Sequence, residues 1–274
     1  MTGLSAEADS YGRRVKLHGA EAFEGMRRAG KVAAETLDFI APYVRPGVST
    51  GELDRLLDGF MREQGSVAAT IGYRGYRHAS CISVNHVVTH GIPDDGKILA
   101  EGDILNIDVT PKLDGWHGDS SRMYVVGPPS LKARRLIETT YEAMMAAIAA
   151  VRPGATLGDV GAAVEAVARR ERFAPVEEFT GHGVGRVFHD APEVLHTGRP
   201  GTGLQLEPGM IFTIEPMLNA GRRDVKVLPD GWTTVTRDRS LSAQFEHSVG
   251  VTADGVEIFT ASPKGYQAPP YLTS

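Results

Sequence analysis

Two stretches of this chain occur twice, at one shared displacement. VRPGVSTGEL (Val44–Leu53) returns as VRPGATLGDV (Val151–Val160), and LAEGDILNIDVT (Leu99–Thr110) returns in outline as LEPGMIFTIEPM (Leu206–Met217), each 107 residues later. One such match could arise by chance, but two matches 55 residues apart with a common displacement point to an internal duplication. Two copies this long call for a pseudo-twofold domain, not a solenoid of short repeats. In each copy Pro-Gly and Ser/Thr give a stop and then a start signal. Segments with apolar residues at roughly helical spacing follow, Glu52–Gln64 and Asp159–Glu171. Further helical stretches precede them near Glu21–Ile40 and Leu131–Val151, and an acid-bearing strand closes each half.

That strand is the unusual element. Alternate residues of a strand share a face, so Asn106, Asp108 and Thr110 lie on one side of LNIDVT and Leu105, Ile107 and Val109 on the other. In the second copy Thr213 and Glu215 share a face. A turn centred on Leu113–Asp114 would set Asp108 across from Asp119, and Glu215 and Glu246 are equidistant from the Asp230–Gly231 turn signal. Arms as long as this second pair needs would have to bend. Adjacent carboxylates repel unless a cation lies between them. If the pseudo-twofold brings both pairs together, four negative charges match two divalent cations, a recurrent hydrolytic device.

FTGHGVGRVFHDAP (Phe179–Pro192) adds His182 and His189 among glycines that permit close backbone approach. It lacks a full G-x-G-x-x-G after a strand and has no Walker lysine, which argues against a phosphate loop. Imidazole mixed with carboxylates favours Mn, Fe, Co or Zn over Mg or Ca. His90 ends the apolar stretch VVTHGIPDD.

Bulk properties exclude several classes. A net charge of −5 and a pI near 6.0 give no global nucleic-acid footprint. The single cysteine, Cys81, cannot form an intramolecular disulfide and fits a reducing cytosol. No apolar run of about 18 residues suggests a membrane span. MTGLSAEADSYGRR lacks the apolar core of a secretory signal. We expect a polar tail over residues 1–15, one duplicated domain over 16–265, and a C-terminal tail over 266–274.

Taken with the duplication, the runs CISVNHVVTHGIPDD, GDILNIDVTPKLDGWHGDSSRMYVVG, GHGVGRVFHDAPEVLH, LEPGMIFTIEPM and DGWTTVTRDRSLSAQFEHSVGVT resemble the type I methionine aminopeptidases, over most of the chain from about Glu21 to Thr260. The resemblance implies an α+β pita-bread fold, a pseudo-twofold antiparallel sheet covered by helices. It implies two divalent metal ions (Co, Mn, Fe, Ni or Zn): Asp108 on one, Asp119 and Glu246 bridging, and His182 and Glu215 completing the second. A water or hydroxide held between them would attack the first peptide bond, with Glu215 moving the proton and His90 and His189 stabilising the developing charge. The substrate's free amino group against a metal would restrict cleavage to the first residue. Tyr73, Tyr76, Cys81, Phe188 and Trp232 fall at positions of the methionine pocket, and Asn85, Val87 and Ser242 at those of a monovalent (Na or K) cation site.

The implied activity is removal of the initiator methionine from nascent polypeptides with a small second residue, in the cytoplasm, at the ribosome, by a monomer with no membrane or specific nucleic-acid partner. The chain departs from the family pattern at Arg77, where Pro is common, at the following His78, and at Thr70 on the pocket edge. Two alternatives stand beside this reading. A proline-specific aminopeptidase or prolidase shares the five ligands but usually carries an extra N-terminal domain, for which this chain is too short. A non-catalytic paralogue would have lost ligands.

Overall fold

The computed structural model describes residues 3–9 and 11–271. The duplication is written into its backbone hydrogen bonds. Helices α1 (Ala20–Ile40) and α2 (Thr50–Glu63) in the first half answer α3 (Leu131–Ala150) and α4 (Leu157–Glu171) in the second. Ser49 and Thr156 cap α2 and α4, their hydroxyls accepting from the N–H of Glu52 (3.0 Å) and Asp159 (3.3 Å). Each cap satisfies one of the unpaired donors of a helix's first turn. Ser49 bridges Ile98 just as Thr156 bridges Gln205. The Gly47 N–H donates to the Leu99 carbonyl as that of Gly154 does to Leu206. The caps, bridges and backbone bonds all keep the displacement read from the sequence.

An antiparallel sheet of eight strands spans both halves. Its order is Asp190–Val194, Gly181–Gly183, Ile211–Ile214, Glu246–Val251, Ser120–Val125, Ile104–Val109 and Ser80–Val84, with Val256–Ile258 also paired to Glu246–Val251. The halves meet where Glu246 lies opposite Ser121. Each half has its own core against its own helices. Leu37, Leu57 and Ile107 belong to the first, and Ile148, Val164 and Phe212 to the second. Burying each such side chain contributes roughly 1.5–3 kcal/mol.

Two registers place the acids. In the first hairpin the turn is Asp114–Gly115, with φ of +50° and +83°, and Leu113 pairs with Trp116. Asp-Gly accepts two consecutive positive φ values where a Leu would be strained. The centre therefore lies one residue beyond Leu113–Asp114, and Asp108 faces Ser121, not Asp119. Moving the centre by one residue moves each partner by two, which preserves the face. Asp119 thus remains beside Asp108 on a diagonal. The second hairpin keeps one register, centred on Asp230–Gly231, through three separate sheets. Ile214 pairs with His247, Met217 with Gln244, and Val225 with Thr236. Glu215 and Glu246 fall opposite each other in it, and the long arms bend by changing sheets.

The first fifteen residues, expected to be a tail, carry strand Gly3–Ala8 and the start of strand Arg14–Leu17, which pair with each other. Asp9 accepts from the N–H groups of Tyr11 and Arg13 at the turn, and the Ala6 N–H donates to Glu207. Only Ser5 and Val15 are buried in these strands, too few to show a period in the sequence. Near the other end Tyr271 donates to the Met123 carbonyl (2.7 Å) and stacks on Tyr266. The rest of the expected C-terminal tail, residues 272–274, lies outside the described residues, as do 1, 2 and 10. No helix among the described residues is long and apolar enough to cross a membrane.

Candidate metal centre

The sheet brings the four acids and His182 to one place. Asp108 is near the end of Ile104–Val109, Asp119 directly precedes Ser120–Val125, Glu215 directly follows Ile211–Ile214, and Glu246 opens Glu246–Val251. His182 Nε2 lies 3.5 Å from Asp119 Oδ2 and 3.6 Å from Glu215 Oε1. Asp119, His182 and Glu246 each offer one ligand atom, all within 4.8 Å of one another. Gly181 and Gly183 flank the histidine. A Cβ at either would strike the carbonyl of Thr213 or Ala191 in a neighbouring strand, so these glycines serve strand packing.

Residues on the acids' own faces orient them. Thr110 donates to Asp119 Oδ1 (2.7 Å), and Thr213 to Glu215 Oε1 (2.8 Å) while accepting the His182 N–H (3.0 Å). Gln244 Nε2 reaches Glu215 Oε2 at 3.3 Å. Thr110 and Thr213 are each two residues from an acid, so the shared strand face was their signal. Gln244 stands two residues before Glu246 in the same way.

Among the described residues no Lys or Arg pairs with these acids; His182 alone does. Burial, and then the charges of Asp119 and Glu215, hold Asp108 well above the usual carboxylate range. Burial followed by Asp119 and Glu215 does the same to Glu246. Glu215 is pushed to about 7 by burial and the Asp119 charge, against the pull of His182. Burial would lower His182, but Asp119 and Glu215 outweigh it and raise it to about 8. A cluster of buried, crowded carboxylates with one imidazole and, among the described residues, no Lys or Arg partner fits divalent cations.

This has a consequence for the metal-free protein. Glu215 has a folded pKa of about 7 against an ordinary 4.5. The stability it contributes is full below the ordinary value and is lost as pH rises through the folded one. Asp108 and Glu246 shift in the same direction. Denaturant unfolding of chelated protein should show Glu246→Gln gaining on wild type from pH 5 to pH 8, with added metal reversing the order. A gap independent of pH would remove the argument.

One cavity of about 300 Å³ joins this cluster to the other candidates: His90, His189, Tyr73, Tyr76, Cys81, Phe188 and Trp232 all line it, as do all four acids and His182. The Tyr73 ring stacks on His189 (5.1 Å), and Tyr76 meets Trp232 edge-on (4.9 Å). The Tyr76 hydroxyl donates to the Ser80 carbonyl, turning its polar end away from an otherwise apolar wall. Cys81 is the ladder partner of Asp108, and burial holds its thiol protonated. Desolvation lowers His90 to about 4, and desolvation with the nearby His182 lowers His189 to about 4, so both are neutral N–H donors at pH 7.

Thr70 lines the cavity, whereas Arg77 and His78 do not. His78 is drawn to Asp54 (3.4 Å), and Arg77 is exposed. Phe179, Met217 and Arg74 also line it and were not anticipated. Asn85, Val87 and Ser242 lie outside this lining. Ser242 N–H donates to the Asn85 carbonyl (2.9 Å), and Val87 pairs with Val235 two residues on.

A duplicated antiparallel sheet with buried acids and an imidazole at its centre is the architecture of a metallopeptidase, and the chain belongs to metallopeptidase family M24, which it matches over residues 24–253. Within that family its similar relatives are methionine aminopeptidases. That of Rickettsia prowazekii (strain Madrid E) is 55% identical over 258 residues, 94% of this chain and 99% of the relative. That of Escherichia coli (strain K12) is 51% identical over 247 residues, 90% of this chain and 94% of the relative. The crystal structure of the Rickettsia prowazekii methionine aminopeptidase superposes with a TM-score of 0.89, covering 90% of this chain and 99% of that one.

Proposed function

We propose that this chain removes the initiator methionine from nascent polypeptides whose second residue is small. The observation that carries the reading is that a carboxylate–imidazole cluster and an aromatic-walled pocket open into one cavity. In this reading Asp108 would hold one divalent ion, Asp119 and Glu246 would be shared between two, and His182 and Glu215 would complete the second. The imidazole favours Mn, Fe, Co, Ni or Zn over Mg or Ca. Bound there, such ions make water nucleophilic near neutral pH and polarise a carbonyl.

The chain's own residues do the rest. The Glu215 carboxylate would take a proton and return it to the leaving amine. Neutral His90 and His189 donate to the scissile peptide as charge develops on it. Tyr73, Tyr76, Cys81, Phe188 and Trp232 enclose a flexible thioether, for which aromatic edges are good partners. A Na or K ion at Asn85, Val87 and Ser242 belongs to the same proposal. So does work as a monomer in the cytoplasm at the ribosome, where chains still carry the initiator residue. The match to almost the whole length of the Rickettsia prowazekii enzyme supports methionine over a proline-specific substrate.

A panel of Met-X-Ser peptides with X from Gly to Trp tests the reading, with Lys-Ala-Ser and Ala-Pro as controls and the stripped protein refilled with each metal in turn. Met-Ala-Ser should be cut fast and bulky X poorly. Norleucine should be accepted, since a pocket discriminates one methylene by only about 1–3 kcal/mol. Lys should fail, because burying it unpaired is costly. Met-Trp or Lys-Ala cut as fast as Met-Ala would sink the assignment.

A further inference from the structure

We infer that His196 is a positioning residue for Glu215, its ring held in the Nδ1–H tautomer so that Nε2 receives the Glu215 backbone N–H. The inference rests on the proposed metal centre for its function and on the geometry below for its existence. His196 follows the Asp190–Val194 strand, is 2% exposed and does not line the cavity. Its Nε2 lies 3.0 Å from the Glu215 nitrogen. A backbone N–H can only donate, so Nε2 must be the bare nitrogen and the ring proton must sit on Nδ1. A free neutral imidazole favours the opposite tautomer, so the fold imposes this one.

The other nitrogen makes the arrangement costly. Nδ1 is buried with no hydrogen-bond partner among the described residues. Because Nε2 accepts a hydrogen bond, the ring is neutral. An apolar side chain would fill the same space without an orphaned donor, and a buried unpaired polar group asks for an explanation. The explanation lies at Nε2. Glu215 stands just past the Ile211–Ile214 strand and just before Pro216, which has no N–H. His196 fixes its main chain, Thr213 its Oε1 and Gln244 its Oε2. The carboxylate thus reaches the cluster from a backbone pinned from behind.

Two substitutions separate positioning from packing. In His196→Gln the side-chain carbonyl replaces Nε2 as acceptor, whereas His196→Leu fills the space without one. Loss of a partner that orients a metal ligand typically costs about 10–100-fold in metal affinity or activity. His196→Leu should therefore lose kcat on Met-Ala-Ser to that extent with KM little changed, and should bind its second Mn(II) more weakly by calorimetry. His196→Gln should recover most of both. Nitrogen NMR of the metal-free wild-type protein should show a protonated Nδ1 and a bare Nε2, a readout independent of activity and of variant folding. The opposite tautomer, a Leu variant equal to wild type, or a Gln variant as impaired as Leu would each overturn the inference. If wild type cuts no Met peptide, the functional reading fails alone, since tautomer and Mn(II) titration still decide the positioning role.

Discussion

Asp119→Ala is expected to fold but to lose tight divalent-metal binding, and its activity on Met-Ala-Ser should fall by at least about a thousandfold, because activation of water at neutral pH depends on intact ion sites. Asp119 offers a ligand atom within 4.8 Å of those of His182 and Glu246. It lies 3.5 Å from His182, on a diagonal from Asp108, and Thr110 holds one of its oxygens. Removing it leaves no carboxylate able to serve both proposed ions from that side, and Glu246 alone cannot replace it. Folding should survive because, among the described residues, Asp119 forms no salt bridge other than that to His182, so no Lys or Arg is stranded. Calorimetric titration of chelator-stripped protein should show one tight and one weaker site in wild type and neither as such in the variant. Wild-type-like binding and turnover in Asp119→Ala would refute a bridging role.

His189→Ala is expected to behave differently: full metal content, KM near wild type, and kcat lower by about 10²–10³, the usual loss for one donor aimed at developing charge. The ring stands 4.1 Å from that of His182 and stacks on Tyr73, yet pairs with no acid among the described residues. It is also a neutral donor, since desolvation and the neighbouring His182 depress its pKa to about 4. Metal analysis and steady-state kinetics on the same preparation check this. Loss of metal with activity would move His189 into the ligand set, and an unchanged kcat would make it a wall of the pocket.

Elements with local signals were legible in the sequence. Pro-Gly stops and Ser/Thr start signals put the starts of α2 and α4 within two residues of their observed positions, and helical spacing did the same for the ends of α1 and α3. The Asp230–Gly231 signal placed Glu215 opposite Glu246 across a hairpin more than thirty residues long. Asp108 and Asp119 were paired one turn residue too early, because Leu113 was given a place in the turn that Gly115 takes. The N-terminal hairpin gave no pattern, since nearly all of it faces solvent. His196 was missed because what it touches depends on long-range register, which a single polar residue does not advertise, and Gln244 because its place two residues before Glu246 was not followed up. The aromatic pocket positions rested on family resemblance, since Tyr, Phe and Trp are usually core residues.

The unbroken register of the Ile211–Val251 hairpin makes two parts of this protein separately mutable. At its base a one-residue insertion in either arm would slip the ladder and turn Glu215 or Glu246 to the opposite face. At its tip, beyond the Val227–Thr234 pair, the loop holding Asp230 and Trp232 can lengthen, shorten or change composition without shifting a pair below it. Trp232 reaches the cavity from that tip, its own N–H anchored on Asp230. Under the proposed function, variation there would retune which first residue is accepted and leave the acids in place. Selection can therefore explore new substrates along one end of the hairpin while the other end stays under strict constraint, a division of evolutionary labour set by a hydrogen-bond ladder.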